Sequence, residues 1–337
     1  MKITAYEYDG VFDELASEWN ALLERSAMNT IFSTWEWQST WWRVYKPGTP
    51  WILTCRDETN RLLGIAPWFM HEGDEGKVVS AIGCVDVTDY LDVIIDKDCI
   101  GAVMERFAAY LSEQSALFDR INLCNIPEAS PTFTNFPKIL HEHGFTTEIE
   151  QLDVAPSIRL PDDWQDYLSM LDKKQRHELR RKMRRAGGGV DIDWYIVGEA
   201  HDMQEQLELF LKLMAASDED KEIFLQDENN ITFFRELIPL LHKHGWVQLN
   251  FLTVDGVIAA AYLNLDYSNH ILVYNSGLLR GEYDSYSPGI VLLANNIRYA
   301  IENNYEVFDF LRGNEPYKYH LGGKDTAVFA LKAQVAH

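Results

Sequence analysis

VQLNFLTVDGVIAAAYLNLDYSNHILVYNSGLL, residues 247 to 279, is the stretch whose reading decides the fold. Residues 247 to 254 form a strand pattern, and Asp255-Gly256 is a strong two-residue hairpin signal because both positions tolerate positive φ. A second strand pattern covers 257 to 266, the polar residues 267 to 269 turn the chain, and 270 to 279 reads as a third strand. Three successive strands on short turns predict an antiparallel meander. A Gly, Ser and Pro-rich loop follows, then a helix over 288 to 303. In that helix Ile290, Leu293, Ala294, Ile297, Ala300 and Ile301 recur at helical spacing. EVFDFLRG (306 to 313) is short and strand-like, and a last strand is predicted around 326 to 335.

The first half of the chain repeats this order. Strands are predicted at 51 to 56, 62 to 70 and 77 to 82, an amphipathic helix at 99 to 114, and a strand at 119 to 124. Two helical segments precede each meander, at 11 to 27 and 34 to 45, and again at 201 to 216 and 229 to 244. Leading strands fit at 2 to 7 and 190 to 197. A helix over 162 to 186 joins the halves, opened by Pro161-Asp162-Asp163 and stopped by Gly187 to Gly189. The fold class is therefore α/β (α+β) in tandem: a mixed, largely antiparallel sheet flanked by helices, twice. Boundaries are set at 1–160 for an N-terminal, degenerate domain, 161–189 for a basic connecting helix, and 190–337 for a C-terminal domain carrying the active site.

With 52 acidic against 30 basic residues, the formal charge is -22. Such a surface repels phosphate backbones and argues against DNA as a partner. Cys55, Cys84, Cys99 and Cys124 form no CxxC pair, so reduced thiols and a cytoplasmic setting are expected, with no metal site. The start MKITAYEYDGVFDE lacks signal-peptide character, and no apolar run is long enough to span a bilayer. Trp19, Trp35, Trp37, Trp41, Trp42, Trp51 and Trp68 build either a large core or a ring-lined cleft.

Four segments carry chemistry. In NSGLLRGEYDSYSPG (275 to 289), a small-residue loop opens a helix at Ser287, Pro288 and Gly289. Free amides at a helix start bind anions, and Arg280 adds a charge; an ordinary loop with Pro opening the helix explains the same residues. In DFLRGNEPYKYH (309 to 320), Glu315 and His320 can take a proton from an attacking amine and Tyr317 can give one to a leaving thiolate. Arg312 and Lys318 there can hold a phosphate or carboxylate. Asp89 and Asp92, in TDYLDVII, can bind an amino group if they face one side of a strand, or belong to a solvated edge. KKQRHELRRKMRR (173 to 185) holds eight of the thirty Lys and Arg and the single acid Glu178, enough to attract a nucleotide phosphate, RNA or anionic lipid, or to neutralise acidic surface of its own protein or a partner. His141, His143, His242 and His244 sit at helix ends. The segments show no Walker motif, GxGxxG or nucleophile elbow.

FSTWEWQSTWW (32 to 42), KKQRHELRRKMRR (173 to 185), SPGIVLLANNIRYAIENN (287 to 304) and DFLRGNEPYKYHLG (309 to 322) together resemble the GNAT-superfamily acetyltransferases of the CelD-like group, whose wider relatives include the FemAB aminoacyl transferases. The resemblance implies tandem GNAT-like domains, with the pyrophosphate of acetyl-CoA or another acyl-CoA at Ser287, Pro288 and Gly289. It implies transfer to an amine of a small molecule or cell-envelope or polysaccharide precursor, without a metal. The Q/R-x-x-G-x-G/A form of the donor loop is not reproduced by Arg280, Gly281 and Gly289. An aminoacyl-tRNA-dependent transferase is the alternative, weakened by the missing coiled-coil arm, and a non-catalytic binding protein is the third reading.

Overall fold

A computed structural model describes the chain at every residue except Glu75, Val85, Asp86, Gly187 to Gly189, Glu282, His337 and the side chain of Ala186. It divides into two compact units: Met1–Val154 with Thr326–His337, and Ala155–Asp325.

The first unit opens with β1 (Lys2–Tyr6), α1 (Val11–Leu23), α2 (Trp35–Tyr45), β2 (Thr49–Arg56), β3 (Leu62–Gly73) and β4 (Gly76–Ala81). A short β5 (Ile94–Ile95), α3 (Ile100–Glu113), β6 (Arg120–Pro127), α4 (Pro131–Thr134) and α5 (Phe136–Glu142) follow, then β7 (Phe145–Arg159). Helix α2 starts where the Thr34 hydroxyl accepts the Trp37 amide, and stops at Lys46 in the left-handed region. The tryptophans resolve in favour of a core: Trp19, Trp37, Trp41 and Trp51 are fully buried, and Trp68 is 1% exposed. Several indole N–H groups find acceptors, Trp19 on Ser33 O, Trp35 on Phe12 O and Trp37 on Thr88 Oγ1, which makes burial of so polar a tip tolerable.

The second unit contains α6 (Trp164–Met170), α7 (Lys173–Ala186), β8 (Ile192–Ile196), α8 (Met203–Ala215), α9 (Glu219–Phe224) and α10 (Glu228–Lys243). The meander is β9 (Val247–Val254), β10 (Val257–Tyr267) and β11 (His270–Leu278), followed by α11 (Pro288–Glu302), β12 (Val307–Asp309) and α12 (Pro316–His320). The Asp255-Gly256 turn adopts φ of 49° and 78°, so Val254 lies opposite Val257. Part of the acidity is spent on helix starts: Asp163, Asp202, Asp218 and Asp227 each accept first-turn amides, at about 1 kcal/mol apiece. The helix expected over 162 to 186 is broken in two. Leu171 is extended, and Asp172 accepts the Gln175 amide to start α7.

The two units share one strand order. The first runs β1-β2-β3-β4-β6, completed by β13 (Lys324–Val335), and the second runs β8-β9-β10-β11-β12, completed by the end of β7. In each, one central pair is parallel: β4 with β6, and β11 with β12. This repeat is the predicted one, but the chain closes it differently from the expected boundaries. Strand β13 pairs with β6, Val328 opposite Pro127 through Gln334 opposite Arg120, and buries Leu331 and Ala333 in the first unit's core. The C-terminal strand therefore completes the first unit. The end of β7, Ser157 to Arg159, pairs with β12 in the second.

The expectation of four reduced thiols is corrected. Cys84 and Cys124 form a disulfide, while Cys55 and Cys99 are free. No described helix is long and apolar enough to cross a membrane. Asp89 and Asp92 do not lie on a strand, since only Ile94–Ile95 is extended there.

Two outcomes follow from this packing. The Cys84–Cys124 link closes a loop across 40 residues of sequence, so C84S is expected to lose about 3–4 kcal/mol of stability, and reductant is expected to lower the wild-type Tm but not that of C84S. A Cβ on Gly277 would sit 2.8 Å from the Met214 amide nitrogen and 2.9 Å from the Leu213 carbonyl carbon. G277A should therefore push α8 away from β11 and cost about 1–3 kcal/mol in urea denaturation.

Candidate functional site

The site grows from one irregularity in the second unit's sheet. Strand β11 pairs with β12 only from His270 to Leu272, opposite Val307 to Asp309. On its other side β12 keeps its partner one step further, the Phe310 amide donating to Pro156 O of β7 at 2.9 Å. Leu311 then takes φ 58°, with its amide held by Asp309 Oδ1 at 2.8 Å. β11 runs on to Leu278, paired only with β10 on its other side, and an extra residue at Tyr274 shifts that register between Leu263 and Asn264. Two parallel strands thus diverge, and backbone groups of Ser276 and Leu278 face the gap.

Side chains from the α8–α9 connection and from α9 satisfy that exposed edge. Ser217 Oγ accepts the Leu278 amide at 2.8 Å. Lys221 Nζ donates to Ser276 O at 2.6 Å and to Ser276 Oγ at 3.1 Å. Burial pushes the Lys221 ammonium pKa down, and nearby Arg280 adds to this, while Asp218 and Glu315 work in the opposite direction. A cleft of about 640 Å³ opens here, and Tyr262, Ser276, Arg280, Ser287, Glu315 and Tyr317 are among the residues lining it.

At one end of the cleft stands the N-terminus of α11. Ser287 is left-handed, at φ 55°, and its side chain makes no capping bond, so the first-turn amides keep their donors for another acceptor. Gly289 permits close approach, since a Cβ there would lie 2.7 Å from Leu278 Cδ2. The Arg280 guanidinium is exposed at the rim, its Nε on Ser217 O at 3.1 Å. At the other end is Tyr317. Burial, and then the Glu315 charge, push its phenol pKa up, so the hydroxyl holds its proton through the physiological range.

Of the residues expected from sequence, Arg280, Ser287, Pro288, Gly289, Glu315 and Tyr317 come together in this cleft. Others lie elsewhere. Lys318 is 2% exposed, and its Nζ donates to Leu311 O, Arg312 O and Gly313 O at 3.0, 2.7 and 3.0 Å. It also pairs with Glu315 Oε2 at 2.9 Å. Its donors point into its own loop. Arg312 is half-buried, and His320 is exposed at the end of α12; neither lines the cleft. Asp89 and Asp92 belong to the first unit. Asp92 accepts from the Ser130 and Thr132 hydroxyls and the Val93 amide, and burial pushes its carboxyl up to about 6. That carboxylate pins α4. Lys221, Ser217 and Tyr262 escaped the sequence reading, because a single Lys on a short acidic helix gives no pattern until β11 is in place.

The first unit repeats the parallel pair but closes the gap. Val78 to Ser80 lie opposite Arg120 to Asn122, and β4 ends at Ala81. Beyond it, Cys84 is bonded to Cys124 of β6. The Leu91 amide donates to Asn125 O at 2.8 Å, and Asn125 Nδ2 to Thr88 O at 2.7 Å.

Comparison with known proteins places this architecture. A family profile described as an acetyltransferase (GNAT) domain matches residues 173–319. The crystal structure of FemX aligns over 98% of this chain and 97% of its own, with TM-score 0.63 and 11% identity. A conserved protein of unknown function from Bacteroides thetaiotaomicron aligns over 99% and 100%, with TM-score 0.60 and 13% identity. L-PGS from Bacillus licheniformis aligns over 95% and 92%, with TM-score 0.55 and 10% identity. No curated protein matches the chain. The chain carries a GNAT-superfamily fold, related in structure to FemX.

Proposed function

We propose that the protein is an N-acyltransferase that moves an acyl group, acetyl in the simplest case, from acyl-CoA to an amine of a small molecule or a cell-envelope or polysaccharide precursor. The observation that carries this reading is the cleft itself: an open β11 edge leading to an uncapped helix start. The residues present suit a thioester donor. The first-turn amides of α11 and the Arg280 guanidinium would hold its pyrophosphate. The β11 edge at Ser276 and Leu278 presents the backbone groups along which an amide-containing arm would lie, once Lys221 and Ser217 yield them.

The transfer balances with groups in the cleft. The neutral amine attacks the thioester carbonyl, and the C–S bond breaks. Tyr317, kept protonated by its surroundings, gives its proton to the departing thiolate, while Glu315 takes the proton released from the amine. Lys221, the half-buried cation beside Ser276, stabilises negative charge as it develops on the carbonyl oxygen. His320 is left without a role, being exposed outside the cleft.

The tRNA-dependent reading draws on the likeness to FemX and on the basic helix α7, which lies within the matched region. It requires binding that weakens steeply with salt.

Calorimetry with acetyl-CoA and free CoA tests the donor. S287D places a carboxylate where the phosphates would sit, so it should weaken CoA at least ~10-fold while leaving the fold intact. If neither thiol form binds the wild type, the acyl-CoA reading fails. With an amine panel and thiol release as the readout, Y317F should lower kcat about 10²-fold with little change in donor KM. Unchanged turnover in both Y317F and E315Q would remove the proposed proton path.

A further inference from the structure

Helix α7 is anomalous in so acidic a protein. It holds eight of the thirty Lys and Arg, yet among the described residues its one ion pair joins Arg181 to Glu178 of the same helix, at 2.7 Å. Arg176, Arg180 and Arg184 reach only neutral acceptors: Leu168 O, Gln165 Oε1 and Arg180 O. Structural neutralisation therefore does not explain the run. Leu179 and Met183 pack α7 onto the second unit's core, which leaves Arg180, Arg181, Arg184 and Arg185 exposed.

The last turn of α7 ends beside the helix start that faces the cleft. The Arg185 guanidinium lies over the Tyr286 ring, 5.5 Å from its centroid, and α11 begins two residues after Tyr286, at Pro288. Tyr286 itself lies outside the lining of the cleft. A thioester donor is a chain with its thiol at one end, a diphosphate in the middle and a 3′-phosphorylated adenosine at the other. With the diphosphate at Ser287–Gly289 and the thiol end in the cleft, a nucleotide end lying beyond the helix start comes near Tyr286 and Arg185.

We infer that the last turn of α7, Arg184 and Arg185 with the Tyr286 ring, is the site for the 3′-phosphorylated adenosine of the donor. This rests on the acyl-CoA reading above. The alternative occupant, an RNA, fits less well. Ionic screening confines the field of α7 to roughly 8–10 Å, enough for one phosphate monoester. A long polyanion would extend over a surface whose formal total is -22.

The test compares CoA with dephospho-CoA, which differ only in the 3′-phosphate, by calorimetry on the full chain. The wild type should bind CoA at least ~10-fold more tightly than dephospho-CoA. R184A/R185A should abolish that preference. K173A/K174A, at the far end of α7 and roughly 16 Å away at 1.5 Å per residue, should keep it. Equal wild-type affinity for both ligands overturns the inference but leaves the donor reading standing, and binding of neither overturns both. A preference that survives R184A/R185A, or that falls equally in K173A/K174A, overturns the inference too. So does a tRNA that binds more tightly than CoA and is lost in R184A/R185A.

Discussion

The whole site depends on where two parallel strands stop being neighbours. Three residues of β11, His270 to Leu272, are paired with β12, and then the strands part. A sheet does not open without leaving backbone donors and acceptors exposed, and an unpaired buried peptide group costs about as much as a lost hydrogen bond. Ser217 and Lys221 meet that cost by reaching to Leu278 N and Ser276 O. The divergence, the α8–α9 connection and the cleft are therefore one feature.

Keeping β12 from continuing is the work of a buried charge. Lys318 is almost wholly enclosed, and an ammonium is tolerated there only if its hydrogen-bonding groups are met. Three carbonyls of residues 311 to 313 and the Glu315 carboxylate meet them. In return the loop is held in a conformation that includes a left-handed Leu311 and Gly313 at φ 109°, away from the extended path. Sequence reasoning assigned Lys318 to a ligand phosphate because a Lys beside Arg, Glu and two Tyr looks the same whether it faces outward or inward. Burial separates the two roles, and burial was not in the pattern.

What was legible followed from local chemistry. The Asp255-Gly256 hairpin, the meander strands, α3, α8, α10 and α11 are all specified by turn residues and by periodicity within a single element. What was not legible depended on distant partners. β7 is polar through most of its length, with residues 148 to 152 exposed, so it carries no strand alternation. It is a strand because β12 and β13 are beside it. The exchange that gives β13 to the first unit leaves no mark on β13 itself, and the cysteines that pair lie far apart in sequence. In the site, the helix-start residues and Glu315 and Tyr317 were readable as chemistry, whereas Lys221 acquires meaning only from the edge it covers.

The repeated strand order turns the two units into a comparison of one opening under two treatments. In the first, the segment after β4 is fastened to β6 by the Cys84–Cys124 bond, by Leu91 on Asn125 and by Asn125 on Thr88. Val87, Leu91 and Val93 are buried there. Asp92, set among Ser130, Thr132 and Val93, binds α4. In the second, the strand runs on past the divergence, its edge is covered by two side chains, and no side chain caps the following helix. The same topology is a plug where covalent and apolar contacts fill the gap. It is a cleft where a serine hydroxyl and a lysine ammonium cover the strand edge.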